Sequence, residues 1–583
     1  MRYLKFLVPV DTQNGKIISS NLYSYRSLCK WSRQIAGGQM IKYYEKLLYF
    51  ALIIYLGVFL TACGFNSSPE LGNEGYIKGF IGGVAADEPR AAIEGQKILS
   101  AGGNAADAAT AIYFTLAVTL PSRAGLGGGG VCMVLDHKSK KVMVLDFLSR
   151  TPNEIPKNTS RPSAVPGNPL GIFTLHNRYG RFQWESLVAI GEKLARLGTN
   201  ASRVLIKDLK PVATALIADS ESRRIFLQRD GDLISEGSFI RQIDLASILS
   251  NIRLRGPAGF YRGKFARRFV KGVQAVGGSL MLDDLMAFKP KWKKVLTRKF
   301  GLHEINFVSP PASGGIVSAQ MFGMLELGDL FDDASDAEKY HILAETALRS
   351  FADRERWLLD DFSIVNDPED LISNTHLTKL ISNYQSDRHL SPMKYGLGPN
   401  KKGENPSSTS FVVVDRDGSA VVCSLTMNNN FGIGRIVKGT GILLAAAPIN
   451  RSKGPTTLTP IIIRNKNSNN LFFAGAASGG IAAPTALVSV IADTMINNKR
   501  LIRAIAAPRV HHSGIPDITF YEPHLAQKTK NSLIKRGHNM GATPFLGFVN
   551  AAHCSGGLPR DSETCSVVSD PRGDGLATNA SEK

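Results

Sequence analysis

The sequence predicts an α+β fold in which β-sheets are covered by helices. Two observations carry this. Strand-and-helix blocks stand at both ends of the 583 residues, with a more helical stretch between them. The strands are short apolar runs punctuated by Gly, Asn and Asp, and no internal repeat appears.

Taken in order, 82–86 reads as a short strand followed by a helix over 90–100. Gly102-Gly103 closes that helix, and Asn104 caps the next, which runs to about 118. The glycine run 125–130 leads into strands over 131–136 and 141–147. Residues 150–335 read as mainly helical with loops, and 335–359 as one long helix with Tyr340, Leu343, Ala347 and Phe351 on its core face. Residues 394–407 are rich in Gly, Pro, Asn and Lys and read as a surface segment. A hairpin follows, with strands 411–414 and 420–426 about the turn Asp415-Arg416-Asp417-Gly418. Strands over 461–464 and 471–475 and a helix over 483–496 complete the pattern.

The formal charge of +20 raises the question of nucleic acid, but eight Lys/Arg against two acids in residues 1–63 supply about six of those charges. The remaining basic runs, 262–268 and 289–294, hold one aromatic each and match no nucleic-acid motif, so no nucleic-acid partner is expected. Lys42 and Lys46 precede the apolar run 47–60, closed by Thr61-Ala62-Cys63. That order describes a signal peptide, and Leu60-Thr61-Ala62-Cys63 resembles a lipobox, with Cys63 the expected acylation site and Met40 well placed to start the signal; an uncleaved N-terminal anchor is the alternative. The expected organisation is therefore a leader at 1–63, a Gly/Ser/Asn-rich tether at 64–80, and the folded part beyond. With no Asp after Cys63, the expected location is the periplasmic face of an outer membrane.

Cys554 and Cys565, eleven apart in a loop-rich tail, suit an exported disulfide. Cys132 and Cys423 lie in apolar strands and read as buried small hydrophobes. No Cys/His spacing suggests zinc, His511-His512 reads as structural, and neither metal nor cofactor is expected.

The chemistry is concentrated in Ser407-Ser408-Thr409-Ser410, hydroxyls that run directly into a strand. Such a cluster is ordinarily a turn or cap. If the bond before one of them breaks, however, the new chain end carries a nucleophilic hydroxyl and its own α-amine as base.

Around that cluster the chain resembles the γ-glutamyltranspeptidase family of N-terminal nucleophile hydrolases. The resemblance runs from Gly82 to Asp574, through Gly102-Gly103-Asn104-Ala105-Ala106-Asp107-Ala108, the glycine run 125–130 and Val165-Pro166-Gly167. It continues through Gly259-Phe260-Tyr261-Arg262-Gly263, Pro310-Pro311-Ala312-Ser313-Gly314-Gly315, 507–512 and Ser569-Asp570-Pro571-Arg572. It implies a four-layer αββα sandwich, cut by itself into a large subunit (81–407) and a small one (408–583) that stay together as a heterodimer. Counting back from Asp415 places the family's nucleophile at Ser408, with cleavage after Ser407 and Thr409 as the fallback. The family has a Thr there. Serine lacks the methyl that fixes the rotamer, so slower maturation is expected.

The resemblance further assigns Thr426 to contact the nucleophile, Asn428 to contact substrate, and Gly479-Gly480 to the oxyanion hole. It places Thr456 and Thr457 where the family binds the substrate's carboxylate with serines. The γ-glutamyl pocket departs from the family: Leu148 takes the place of its Arg, with Arg150 two residues on, facing the same side of an extended strand. Asn450 takes the place of an Asp, which removes a charge-assisted contact. The expected substrate is a γ-glutamyl or related amide, with water or an amine as acceptor. The alternatives are an acylase of non-glutamyl amides, like the related cephalosporin acylases, or an uncleaved envelope lipoprotein.

Overall fold

The computed structural model describes residues 80–157, 159–392, 407–449 and 457–579. The chain divides into two units, Met1–Glu74 and Gly75–Lys583, and the described residues all lie in the second. The leader, Cys63, the tether up to residue 79, the segment before Ser407, Asn450 and Thr456 lie outside the described residues.

Two antiparallel sheets form the centre. The first runs Leu576–Asn579, Gly82–Ala86, Ser408–Asp415, Ala420–Thr426, Gly129–Asp136, Lys141–Phe147, Lys291–Lys293. The second runs Cys565–Ser569, Phe548–Leu558, Leu471–Ser478, Ile461–Asn465, His303–Phe307, Leu296–Phe300. Side chains alternate between faces along a strand, and the cores follow that alternation. Val412, Val414, Val131 and Met133 pack with Ile462, Ala474, Ala476 and Ala552 between the sheets. Phe411, Val413, Cys132 and Val134 point the other way, into a core closed by the helices Pro89–Ser100 and Ala105–Thr119. On the far side, Ile305, Ile461, Phe473 and Val549 meet Gly314–Glu326, Asp336–Trp357 and Ala483–Met495. The layers are helix, sheet, sheet, helix, as the resemblance implied.

Helix Ala105–Thr119 is buried along its whole length, which explains its all-round apolar sequence. Its start is a capping box: Asn104 Oδ1 accepts from the Asp107 N–H, and Asp107 Oδ2 accepts from the Asn104 N–H, each at 3.0 Å. The Ala105 N–H donates to Asp415 Oδ2 at 3.0 Å, so this helix start grips the far end of strand Ser408–Asp415.

Two expectations are corrected. Cys132 and Cys423 are disulfide-bonded, not free: the two strands place them directly opposite each other, with Cα atoms 4.1 Å apart. Their separation of 291 residues hides that pairing from the sequence. Cys554–Cys565 is the second disulfide, as expected. The stretch 150–335 also holds five strands: Thr199–Asn200 pairs with Phe239–Ile240, Lys291–Lys293 and Leu296–Phe300 are edge strands of the two central sheets, and His303–Phe307 lies inside the second.

Candidate active site

Strand Ser408–Asp415 lies inside the first sheet, with Ser408 directly opposite Thr426 on the neighbouring strand. Ser408 is 9 % exposed, whereas Thr409 and Ser410 are fully buried. This pairing sets up the site. The Thr426 hydroxyl donates to the carbonyl oxygen of Ser407 at 2.9 Å, and the Met427 N–H donates to the same oxygen at 3.3 Å. Two donors therefore polarise the carbonyl of the Ser407–Ser408 peptide bond. Thr426, expected to contact the nucleophile, here holds the carbonyl that precedes Ser408.

The Gly479 N–H donates to Ser408 Oγ at 3.4 Å, a long contact that places this glycine beside the hydroxyl. Gly479 has φ +114°, and a Cβ there would lie 2.8 Å from the Gly547 Cα. Only glycine fits. Gly480 opens the short turn Gly480–Ala482 into helix Ala483–Met495, so the partial positive charge of that helix start lies just behind the pair.

The Thr409 hydroxyl is committed elsewhere. It donates to Asp87 Oδ2 at 3.0 Å, alongside the Ser410 N–H at 3.0 Å and the Ser478 hydroxyl at 2.9 Å. Asn550 Nδ2 donates to Asp87 Oδ1 at 2.6 Å. Burial pushes the Asp87 carboxyl up, while the Arg123 charge and these hydrogen bonds pull it back. Asp87 thus ties strand Ser408–Asp415 to two strands of the second sheet. The sequence shows no sign of this, since Thr409 lies 322 residues away.

Asn428 adopts φ +63° and donates its side-chain amide to Ser149 Oγ at 3.0 Å and to the Ala446 carbonyl at 2.8 Å. Its Oδ1 is buried and meets no donor among the described residues. Gly128, in the glycine run, packs so closely on this strand that a Cβ would lie 2.5 Å from the Thr426 carbonyl oxygen.

The pocket residues are less convergent. Leu148 is buried among the apolar side chains between the sheets. Arg150 bridges to Val165 through its backbone and sets its guanidinium 5.6 Å from the Phe288 ring centre. Thr457 is buried just after the undescribed residues 450–456.

Outside this site, a histidine cluster joins helix Asp336–Trp357 to the C-terminal part. His389 lies between Glu345 Oε1 at 2.6 Å and Asp517 Oδ1 at 2.9 Å, and His512 Nε2 reaches the same Asp517 oxygen at 3.1 Å. His341 Nδ1 meets His538 Nε2 at 2.7 Å. These side chains form two groups of metal-ligand type, yet each of the four rings has hydrogen-bond partners on both nitrogens. His511, beside them in sequence, bonds Thr485 at 2.9 Å and is pushed down to about 3 by burial, so it is neutral.

Residues 91–580 match the gamma-glutamyltranspeptidase family. The glutathione hydrolase proenzyme of Escherichia coli K12 is 27 % identical over 509 residues, covering 80 % of this chain and 87 % of that protein. That of Bacillus subtilis 168 is 29 % identical over 511 residues, covering 79 % and 86 %. Among solved structures, a cephalosporin acylase from Bacillus halodurans superposes with a TM-score of 0.74 at 21 % identity, over 88 % of this chain and 98 % of that one, a likeness of fold. With nearly its whole folded part matched, the chain belongs to the gamma-glutamyltranspeptidase family.

Proposed function

We propose that this protein is a self-cleaving hydrolase and transferase of γ-glutamyl amides, with Ser408 as its N-terminal nucleophile. The observation that carries the reading is the Ser407 carbonyl, held by the Thr426 hydroxyl and the Met427 N–H immediately before the Ser408 hydroxyl. Attack by Ser408 Oγ on that carbonyl carbon forms an ester, while the C–N bond breaks and the hydroxyl proton ends on the Ser408 nitrogen. Water then hydrolyses the ester, leaving a carboxylate on Ser407 and a free hydroxyl and amine on Ser408. The large subunit is then 81–407 and the small subunit 408–583.

In the mature enzyme the α-amine takes the hydroxyl proton as Oγ attacks a substrate amide, and the proton passes to the departing amine. Gly479 and Gly480 supply donors to the oxyanion. Such donors are typically worth about 3 kcal/mol each. Asn428 Oδ1, buried and open to a donor, supports a role in binding substrate N–H or ammonium groups. Water or an amine then takes the acyl group.

Leu148 favours a second reading, an acylase of a non-glutamyl amide, because an apolar side chain stands where the family's Arg would pair with the substrate's carboxylate. Release of p-nitroaniline from γ-glutamyl-p-nitroanilide separates the two. Turnover supports the first reading; a processed protein inert towards it but active on other acyl anilides supports the second.

The leader supports export and acylation at Cys63, with attachment to the periplasmic face of the outer membrane, and two disulfides suit that oxidising location. Replacing Cys63 with Ala should release the protein from the membrane fraction; an unchanged distribution would count against the anchor.

A further inference from the structure

Both sides of the Ser407–Ser408 bond are held by one dipeptide that belongs to no motif considered above. On the short helix Pro121–Ala124, the Ser122 carbonyl accepts from the Ser407 hydroxyl at 2.9 Å. Its neighbour Arg123 directs Nη1 at the Ser408 carbonyl oxygen at 3.5 Å. One carboxylate locks the dipeptide. Asp208, at the end of helix Arg203–Leu209, accepts from Ser122 Oγ and Arg123 Nε at 2.7 Å each, and from Arg123 Nη2 at 2.5 Å. The two Arg123 bonds form a planar fork, which fixes the guanidinium more firmly than a single contact. Burial works against the Arg123 charge, but the Asp208 carboxylate outweighs it and holds the group ionised.

We infer that Arg123 and Asp208 form a positioning clamp for self-cleavage. They act through Ser122 and the two backbone carbonyls, and neither exchanges a proton with the reacting atoms. The clamp grips Ser407 from one side and Ser408 from the other. The scissile carbonyl is thereby kept against Thr426 and Met427 while Ser408 Oγ stays beside Gly479. A hydroxyl attacking the carbonyl of the residue just before it gains from such restraint, because its rate depends on how often a near-attack geometry is populated. After cleavage the grip on Ser407 is released, while the Arg123 contact to the Ser408 carbonyl remains to aim the new chain end.

This inference rests on the proposed self-cleavage, and its test separates the two. The full chain is purified at low temperature, and cleavage is followed on reducing denaturing gels alongside thermal melting. Asp208→Asn and Arg123→Gln should each slow cleavage at least tenfold, and Arg123→Lys should retain more of the rate than Arg123→Gln. Breaking a buried ion pair can unfold a protein, so a double variant, Arg123→Leu with Asp208→Leu, removes the clamp without leaving an unpaired charge. A folded double variant with near-native melting and a rate at least tenfold down supports the clamp. A folded double variant that cleaves at the wild-type rate overturns it. A wild-type chain that never cleaves overturns the function beneath it.

Discussion

The Thr426 hydroxyl donates to the Ser407 carbonyl oxygen at 2.9 Å, across 19 residues of sequence. The hairpin register produces this contact by setting Thr426 opposite Ser408. Removing the donor while keeping the shape, as in Thr426→Val, should slow self-cleavage about 10²-fold, the usual loss for one oxyanion donor. Thr426→Ser should retain most of the rate. A time course on reducing gels measures both.

Thr409 offers a contrasting outcome. Its hydroxyl serves Asp87, so Thr409→Val should leave cleavage after Ser407 intact and weaken the fold. Loss of one of the donors to a buried carboxylate costs about 1–3 kcal/mol. Urea unfolding of an uncleaved Ser408→Ala background, with and without Thr409→Val, reads the cost. N-terminal sequencing of the small fragment from Thr409→Val itself should still begin at Ser408.

The disulfide Cys132–Cys423 joins the two sides of the proposed cleavage point. A processed protein should therefore run as one band on a denaturing gel without reductant and as two with it. Cys132→Ala should give two bands under both conditions. In the uncleaved Ser408→Ala background, loss of this long-range link should cost about 2–4 kcal/mol in urea unfolding.

Much of the fold was legible because local signals agreed with it. Strands Gly82–Ala86, Lys141–Phe147 and Ala420–Thr426 have the expected bounds, and Ser335 caps the long helix Asp336–Trp357. Strand Ser408–Asp415 begins earlier than its apolar run, since Ser408-Thr409-Ser410 show no apolar pattern and Thr409 and Ser410 are held there by Asp87. Ser408, Thr426 and Gly479 were found by their place within family blocks, and the structure brings the three together. Asp87, Arg123 and Asp208 were missed because each acts through contacts made only when distant segments meet. The Cys132–Cys423 link was missed for the same reason: without sheet register, two cysteines in apolar strands look alike whether bonded or free.

The histidine cluster gives a pH dependence of known sign. Burial alone would lower His389, but hydrogen bonds and charge from Glu345, then Asp517, raise it above its ordinary 6.5. Its stabilising contribution is present in full below pH 6.5 and is lost as pH rises through the raised value. Burial would raise Glu345, but the His389 hydrogen bond and the Arg349 charge hold it at about 2. That contribution is present above pH 4.5 and is lost as pH falls towards about 2. Both are full between pH 4.5 and 6.5, so His389→Gln should cost most stability there and less at alkaline pH. Urea unfolding of the uncleaved background from pH 4.5 to 9 tests this.

The central claim is that Ser408 cuts the chain before itself. Wild-type protein and Ser408→Ala, each purified and incubated, are compared on a reducing denaturing gel with N-terminal sequencing of the smaller fragment. The account predicts two wild-type fragments, the smaller beginning at Ser408, and a single intact chain for Ser408→Ala. A wild-type chain that stays whole, or a Ser408→Ala chain that still divides at this bond, would contradict it.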